Sequence, residues 1–445
     1  MKNPFWVRAL PGALFLAYLV GTVLLFFFGP WRFPIEDRGR LVAFLVSAHL
    51  ALAAGYLVGA SRPGRPSRWR PDVARVATLC LLLDVVLLFP TSALNTGSWI
   101  PNPWAALDRL GDAYLESLRL RDEAFPLVNY VRILVAPLLA AAWPLGVVYW
   151  RRLGAAGRLL LAASVVGTLA LYVAMGANMG AAHWMALFPW FVLAGFFSGT
   201  LPMGGRQWLY AGAIAAGSTA LFALFFAATM NERHGSFAKN RYLPGIDAKV
   251  KNDAPAAVAE AAPEAAGPGP AATAEPAAPA EPGPVAVAYH GFAGYLSHGY
   301  YAVYLSLEEP FVPSYGVGNS VFLQRQVARL ARDPSLLERS YPVRIEARGW
   351  DAYGYWATIY PWIASDVTFP GTVVVVFLVG WAFAAVWVDS LSGENPFAVA
   401  FLGQMLVMLY YFPAHNKTMH SGEGVVAFAV LGALWCFSRR EGSGR

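Results

Sequence analysis

Charge is what this chain has least of. Only 13% of its 445 residues are Asp, Glu, Lys or Arg, against about 25% in a typical soluble domain. With 57% hydrophobic and 14% aromatic residues, that scarcity excludes an ordinary cytosolic enzyme, a disordered chain and a nucleic-acid binder. Cysteine is almost missing as well. Cys80 and Cys436 both fall in apolar stretches, so neither a disulfide framework nor a cysteine-based zinc site follows. No glycine-rich dinucleotide fingerprint and no P-loop is present.

What the chain does have is length in apolar runs, at a mean hydropathy of +0.46. A hydrocarbon core of about 30 Å takes roughly 20 apolar residues per helix. Such runs occur at 9–28, 41–60, 73–90, 127–149, 159–177, 183–200, 208–229, 370–388, 397–412 and 424–437. The expected fold is therefore an all-α polytopic membrane protein of about ten spans. Met-Lys-Asn-Pro-Phe-Trp-Val-Arg at the start resembles a signal peptide, but the many later spans make it a first anchor that is kept.

The net charge of +6 then speaks of orientation. Arg62, Arg65, Arg68, Arg70 and Arg75 crowd the second connection. Arg151, Arg152 and Arg158 lie in the fourth, Arg206 in the sixth, and Arg439 and Arg440 after the last span. By the positive-inside rule both termini face the cytoplasm. Arg32, Arg38 and Arg40 in the first outer loop run against the trend, beside Glu36 and Asp37.

This orientation divides the chain into a bundle of seven spans (1–230), an outer loop between spans seven and eight (231–369) and three closing spans (370–445). Within the loop, 252–288 is almost wholly Ala, Pro, Glu and Gly, a solvated linker that cannot bury a core. It separates a short basic segment from a folded part, 289–369. Six of seven histidines lie on or beside the outer face, and only His49 sits mid-span. Chemistry is expected on that side, although histidines also gather at interfaces for no chemical reason.

Three stretches of the loop carry candidates. The glycine-broken, tyrosine-rich run after His290 reads as an interfacial or partly re-entrant helix containing His298. The turn Ser314-Tyr315-Gly316-Val317-Gly318-Asn319-Ser320 feeds a helix over 321–332 capped by Asn319 or Ser320. Backbone N–H groups around Gly316 and Gly318 could cradle a pyrophosphate. That helix sets Leu323, Val327 and Leu330 on one face and Arg325, Arg329 and Arg332 on another, where lipid phosphates can meet them. The third stretch, 341–371, holds Trp350, Tyr353, Tyr355, Trp356, Tyr360 and Trp362, flat rings of the kind that stack on sugars. Arg344, Arg348, Asp351 and Asp366 lie among them. Asp366 reads as a base, an arginine partner or, ahead of either, a helix N-terminal cap.

Tyr-Leu-Ser-His-Gly-Tyr-Tyr, Tyr-Gly-Val-Gly-Asn-Ser and Thr-Ile-Tyr-Pro-Trp-Ile-Ala-Ser-Asp, in that order before an apolar span, resemble the Wzy-type oligosaccharide repeat unit polymerases. These include the O-antigen polymerases of bacterial envelopes. The likeness is strongest over 290–420 and ends in Tyr-Phe-Pro-Ala-His-Asn; upstream it extends to Asn129-Tyr130-Val131-Arg132. Where family members often follow the aspartate with Phe-Gly, Asp366 here precedes Val-Thr-Phe-Pro-Gly.

The resemblance implies transfer of a growing glycan from undecaprenyl diphosphate to the next lipid-linked repeat unit, on the outer face of a bacterial inner membrane and with inversion. It implies no cofactor. The partners would be lipid-linked donor and acceptor, membrane lipid, a flippase and a chain-length regulator, with no nucleic acid. Such chemistry needs a base for the acceptor hydroxyl, for which His298, Asp366 and His415 compete. It also needs cations or N–H donors for the departing diphosphate. Arg132, just inside span four, leads that group, with Arg233, Arg344 and Arg348 next. Arg132 has a structural alternative in pairing with Asp84, the one acid deep in span three. Asp351, Tyr360 and Trp362 are sugar-contact candidates. No DxD-like acidic pair appears outside, and Glu308-Glu309 reads as a solvated turn, so no metal is expected.

Three other functions fit parts of the pattern. An O-antigen ligase would use the same donor chemistry. A polyprenyl-monophosphate-dependent glycosyltransferase would use Glu36-Asp37. A flippase for lipid-linked sugars should gather mid-membrane polar residues and inverted repeats, whereas only Asp84 and His49 lie there.

Overall fold

Every regular element is a helix among the described residues of this computed structural model. Those are residues 3–123, 127–240, 283–351 and 354–439, leaving aside the side chains of 121–123 and 233–240. One isolated antiparallel bridge joins Ser67 to Arg439. The main helices are α1 Phe5–Phe28, α2 Arg38–Ala60, α3 Val73–Thr96, α4 Leu110–Glu123, α5 Leu127–Val148, α6 Ala155–Ala174, α7 Met179–Phe197 and α8 Gly205–Asn240. They continue with α9 Pro284–Ser297, α10 Gly299–Leu307, α11 Val321–Ala331, α12 Ile359–Ser390, α13 Pro396–Tyr411 and α14 Gly422–Ser438.

All ten apolar runs of the sequence fall on helices. Eight helices (α1, α2, α3, α5, α6, α7, α8 and α12) are long and apolar enough to cross a membrane. The protein is a multi-pass helical membrane protein. Helices α13 and α14, of 16 and 17 residues, are apolar but shorter than that length.

Local chemistry sets several helix ends. Asp37 accepts the Arg40 N–H at 3.1 Å to cap α2, and Asp72 does the same for Arg75 at 3.2 Å in α3. Helix α3 closes on Gly97, whose φ of 70° suits a residue without a Cβ. Helix α9 begins on Pro284 at a first-turn position, where the missing N–H costs nothing. Residues 284–288 of the expected linker are therefore helical; the linker up to 282 lies outside the described residues.

Helix α12 departs most from expectation. Pro370-Gly371 looks like a start, yet the helix begins at Ile359 and passes Pro370 through a kink at Thr368 (φ 65°, ψ 170°). Proline cannot donate the hydrogen bond the helix needs there. The upstream segment holds because Ile359 to Ser365 are all buried.

Helix α12 packs lengthwise on α2. A Cβ at Gly55 would run into the Phe377 carbonyl, and one at Gly380 into that of Leu52. These glycines let two backbones touch, as small residues do in membrane helix pairs. The indole of Trp387 is buried and donates to the Val7 carbonyl at 2.9 Å, tying α1 to the same pair. The loop helices sit on this frame: Tyr300 bonds Thr22 at 2.9 Å, and Tyr301 stacks on Phe33.

In α11 the buried stripe is Val321, Gln324 and Ala328, while Leu330 is exposed. Gln324 goes inward because its side-chain amide donates to the Gly318 carbonyl at 3.1 Å. The three arginines of the helix face outward as expected.

Candidate functional site

Three segments far apart in sequence meet at the start of α12: the joint at His298, the turn 314–320, and the turn 412–421. The Ile359 N–H donates to the Phe412 carbonyl at 3.1 Å. A Cβ on Gly299 would lie 2.7 Å from the Pro413 carbonyl oxygen, so this contact requires glycine.

Asp366 is the brace of the junction. Its Oδ1 accepts from the Ser314 hydroxyl (2.6 Å) and the Gly318 N–H (2.8 Å), and its Oδ2 from the Asn319 N–H (2.8 Å). The anion held by the glycine turn is thus the chain's own carboxylate, since the Gly318 and Asn319 amides both point to it. Gly316, with φ of 82°, lies at the turn's tip with open space where a Cβ would be. The turn is fixed from its other side too. The Asn416 amide donates to the carbonyl and the side-chain oxygen of Asn319, both at 2.7 Å, and the Ser320 hydroxyl to Met419 O at 2.5 Å. Ser320, one of the two expected caps, accepts the Leu323 N–H at 3.2 Å.

Beside this brace runs a chain of rings. His298 lies 5.9 Å from Trp350 and 6.3 Å from Trp356, centroid to centroid. Trp356 lies 5.5 Å from His415, His415 4.3 Å from His420, and His420 4.4 Å from Trp362. Burial and the Lys417 cation push the His420 imidazole down to about 3. Burial, then His420 and Lys417, hold His415 well below the usual histidine value. Both rings are neutral at physiological pH. Trp356 adopts a φ of 60°, costly for a bulky residue. Its carbonyl accepts the Trp350 indole N–H at 2.9 Å, which holds it there. Tyr360 and Trp362 are fully buried, so the rings of this stretch that keep an open face are the half-buried Tyr355 and Trp356. Asp351 is exposed at the edge of this loop; Tyr353 lies outside the described residues.

The arginines divide into two groups. Arg344 and Arg348, one helical turn apart, both reach Glu308-Glu309. Arg344 meets Glu309 at 2.9 Å and the Pro310 carbonyl at 2.6 Å; Arg348 meets Glu309 at 2.8 Å and also pairs with Glu308. The acidic pair expected to be a solvated turn is therefore the anionic half of an ion-pair cluster. Arg132 is bidentate on Glu423, Nε to Oε1 and Nη2 to Oε2 at 2.8 Å each, with Nη1 donating to Thr91 at 3.1 Å. Its carboxylate partner is Glu423 rather than Asp84, which instead accepts from the Ser164 hydroxyl. Arg132 and Glu423 line a cavity of about 280 Å³ between helices, with Asp84, Tyr172, His183 and Gln404. The Arg233 side chain lies outside the described residues.

Asp37 serves as the α2 cap already described, and Glu36 donates its backbone N–H to Tyr304 at 3.4 Å. Among the described residues, no group of three or more His, Cys, Asp and Glu converges as a metal site requires. Sequence reading missed His420 and Glu423. The one available signal was a lone acid in the first turn of an apolar helix, Ser421-Gly422-Glu423-Gly424. Comparison with protein-family models, curated proteins and solved structures finds no match to this chain.

Proposed function

We propose that this protein polymerises undecaprenyl-diphosphate-linked oligosaccharide repeat units on the outer face of a bacterial inner membrane. The observation that carries the reading is the junction itself. The three stretches that resemble the Wzy-type polymerases converge there around His298, Trp356, His415 and the Asp366 brace.

The layout of α12 supports the orientation. One end of this helix is the histidine junction. At the other, Asp389 meets the Arg65 N–H and Arg439, from the two arginine-rich segments. The segment after the Thr368 kink, 369–390, alone spans about 33 Å, enough to separate two membrane faces. Counting α13 and α14 as spans gives ten, with both termini in the cytoplasm.

The chemistry follows from the residues. The acceptor hydroxyl attacks the anomeric carbon of the donor sugar, the bond to the diphosphate oxygen breaks, and undecaprenyl diphosphate leaves. His298, half-buried between two indoles, takes the hydroxyl proton. Asp366 accepts three hydrogen bonds and is assigned to holding the turn. Trp356 and Tyr355 offer ring faces to the glycan, and Arg132 meets the diphosphate.

The test is reconstitution in nanodiscs with the matched lipid-linked repeat unit. Products spaced by whole repeat units, without added nucleotide, support the reading. Transfer only after addition of lipid A core identifies a ligase, and transfer only from a polyprenyl monophosphate sugar identifies that class of glycosyltransferase.

A further inference from the structure

The Arg132–Glu423 pair differs from the surface ion pairs in what it faces. Arg348 with its acids, and Arg75 with Asp72, sit on surfaces open to solvent. Arg132 and Glu423, both half-buried, instead line a half-open cleft of about 280 Å³ between helices, room for several water molecules at about 30 Å³ each. Their contact uses one whole edge of the guanidinium. A carboxylate and a phosphate present the same two-oxygen edge to that fork, so the two cannot occupy it together. Thr91 holds the remaining Nη1, which keeps Arg132 aimed when its carboxylate partner leaves. Asp84 adds a second carboxyl to the lining.

The two partners come from helices far apart in sequence that pack directly on each other. Arg132 is on α5, whereas Glu423 is in the first turn of α14, three residues after His420. A change at Glu423 is therefore felt directly in the turn that carries His415 and His420.

We propose that Glu423 is a built-in competitor for the anion-binding fork of Arg132, and that a lipid-linked diphosphate enters this cavity only by displacing it. This rests on the assignment of Arg132 to the diphosphate. Glu423 is a positioning residue in this scheme. It keeps a half-buried cation paired while the site is empty, and it makes binding selective for an anion that can outcompete a carboxylate.

The experiment titrates farnesyl diphosphate into nanodisc-embedded wild type, Glu423→Gln and Arg132→Gln/Glu423→Gln, by calorimetry. The neutral Gln keeps the size and a hydrogen bond, so the cavity stays formed, and the double variant retains an uncharged pair. Glu423→Gln should bind about tenfold tighter than wild type, because one charge-assisted contact is no longer surrendered on binding. The double variant should bind nothing above empty nanodiscs. Equal or weaker binding by Glu423→Gln overturns the proposal, as does undiminished binding by the double variant or no binding by any form. A gain in binding from a protein that yields no polymer would keep the competitor and remove the polymerase. Polymer without the gain would do the reverse.

Discussion

The two ends of α12 are built on opposite principles. At the Asp389 end the buried acid is answered from three sides. The buried carboxylate of Asp389 receives the Arg65 N–H at 2.7 Å and the Trp435 indole at 2.8 Å, and pairs with Arg439 at 3.0 Å. At the Ile359 end, the His415 Nδ1, His420 Nε2, Trp362 Nε1 and Thr418 Oγ1 atoms are buried without a hydrogen-bond partner. Trp356, Tyr315 and Thr368 there hold left-handed φ angles. Saturated polar groups fasten a structure, whereas unanswered ones and strained backbone are costs that persist where function uses them. One helix thus joins a saturated clasp to an end that keeps unanswered polar groups and strained backbone.

The comparison breaks most visibly if the clasp is cut. Asp389→Ala leaves the Arg439 cation and the Trp435 N–H without their buried acceptor, and should cost about 3–5 kcal/mol. Thermal unfolding in detergent would show it, with activity falling only in step with folded protein. At the other end Asp366→Asn puts an amide against N–H donors, and should cost about 2 kcal/mol. Its signature is freer exchange of the Gly318 and Asn319 amides. A smaller, pH-dependent effect belongs to His420. Its folded pKa of about 3 lies below the ordinary histidine value of 6.5, so protonation favours the unfolded chain. That contribution is fully present above about pH 6.5 and is lost as the pH falls toward about 3. His420→Leu should flatten the acid limb of the stability profile. The least effect is expected from Arg348→Ala, since that ion pair is over a third exposed and worth at most ~1 kcal/mol.

Local signals in the sequence were readable. The apolar runs fell on helices, and Ser320 capped α11, because span length and caps are set by neighbouring residues. Pro370 misled because a proline marks a break in hydrogen bonding, and burial of Ile359 to Ser365 carried the helix across it. Partners were the part that could not be read. Arg132 and Glu423 lie 291 residues apart in sequence, and Asp366 lies 48 residues from the Gly318 amide that it holds. Tyr360 and Trp362 looked like sugar platforms by composition, yet both rings became core. An aromatic side chain's role depends on the direction it faces, which the kinked helix decides.

The most direct measurement compares His298→Gln with wild type in the reconstituted polymerisation assay at equal amounts of folded protein. The account predicts unchanged melting and a loss of product of about 10²-fold or more, as removal of a general base entails. A full-length ladder from His298→Gln would contradict it, and would make the junction a second clasp.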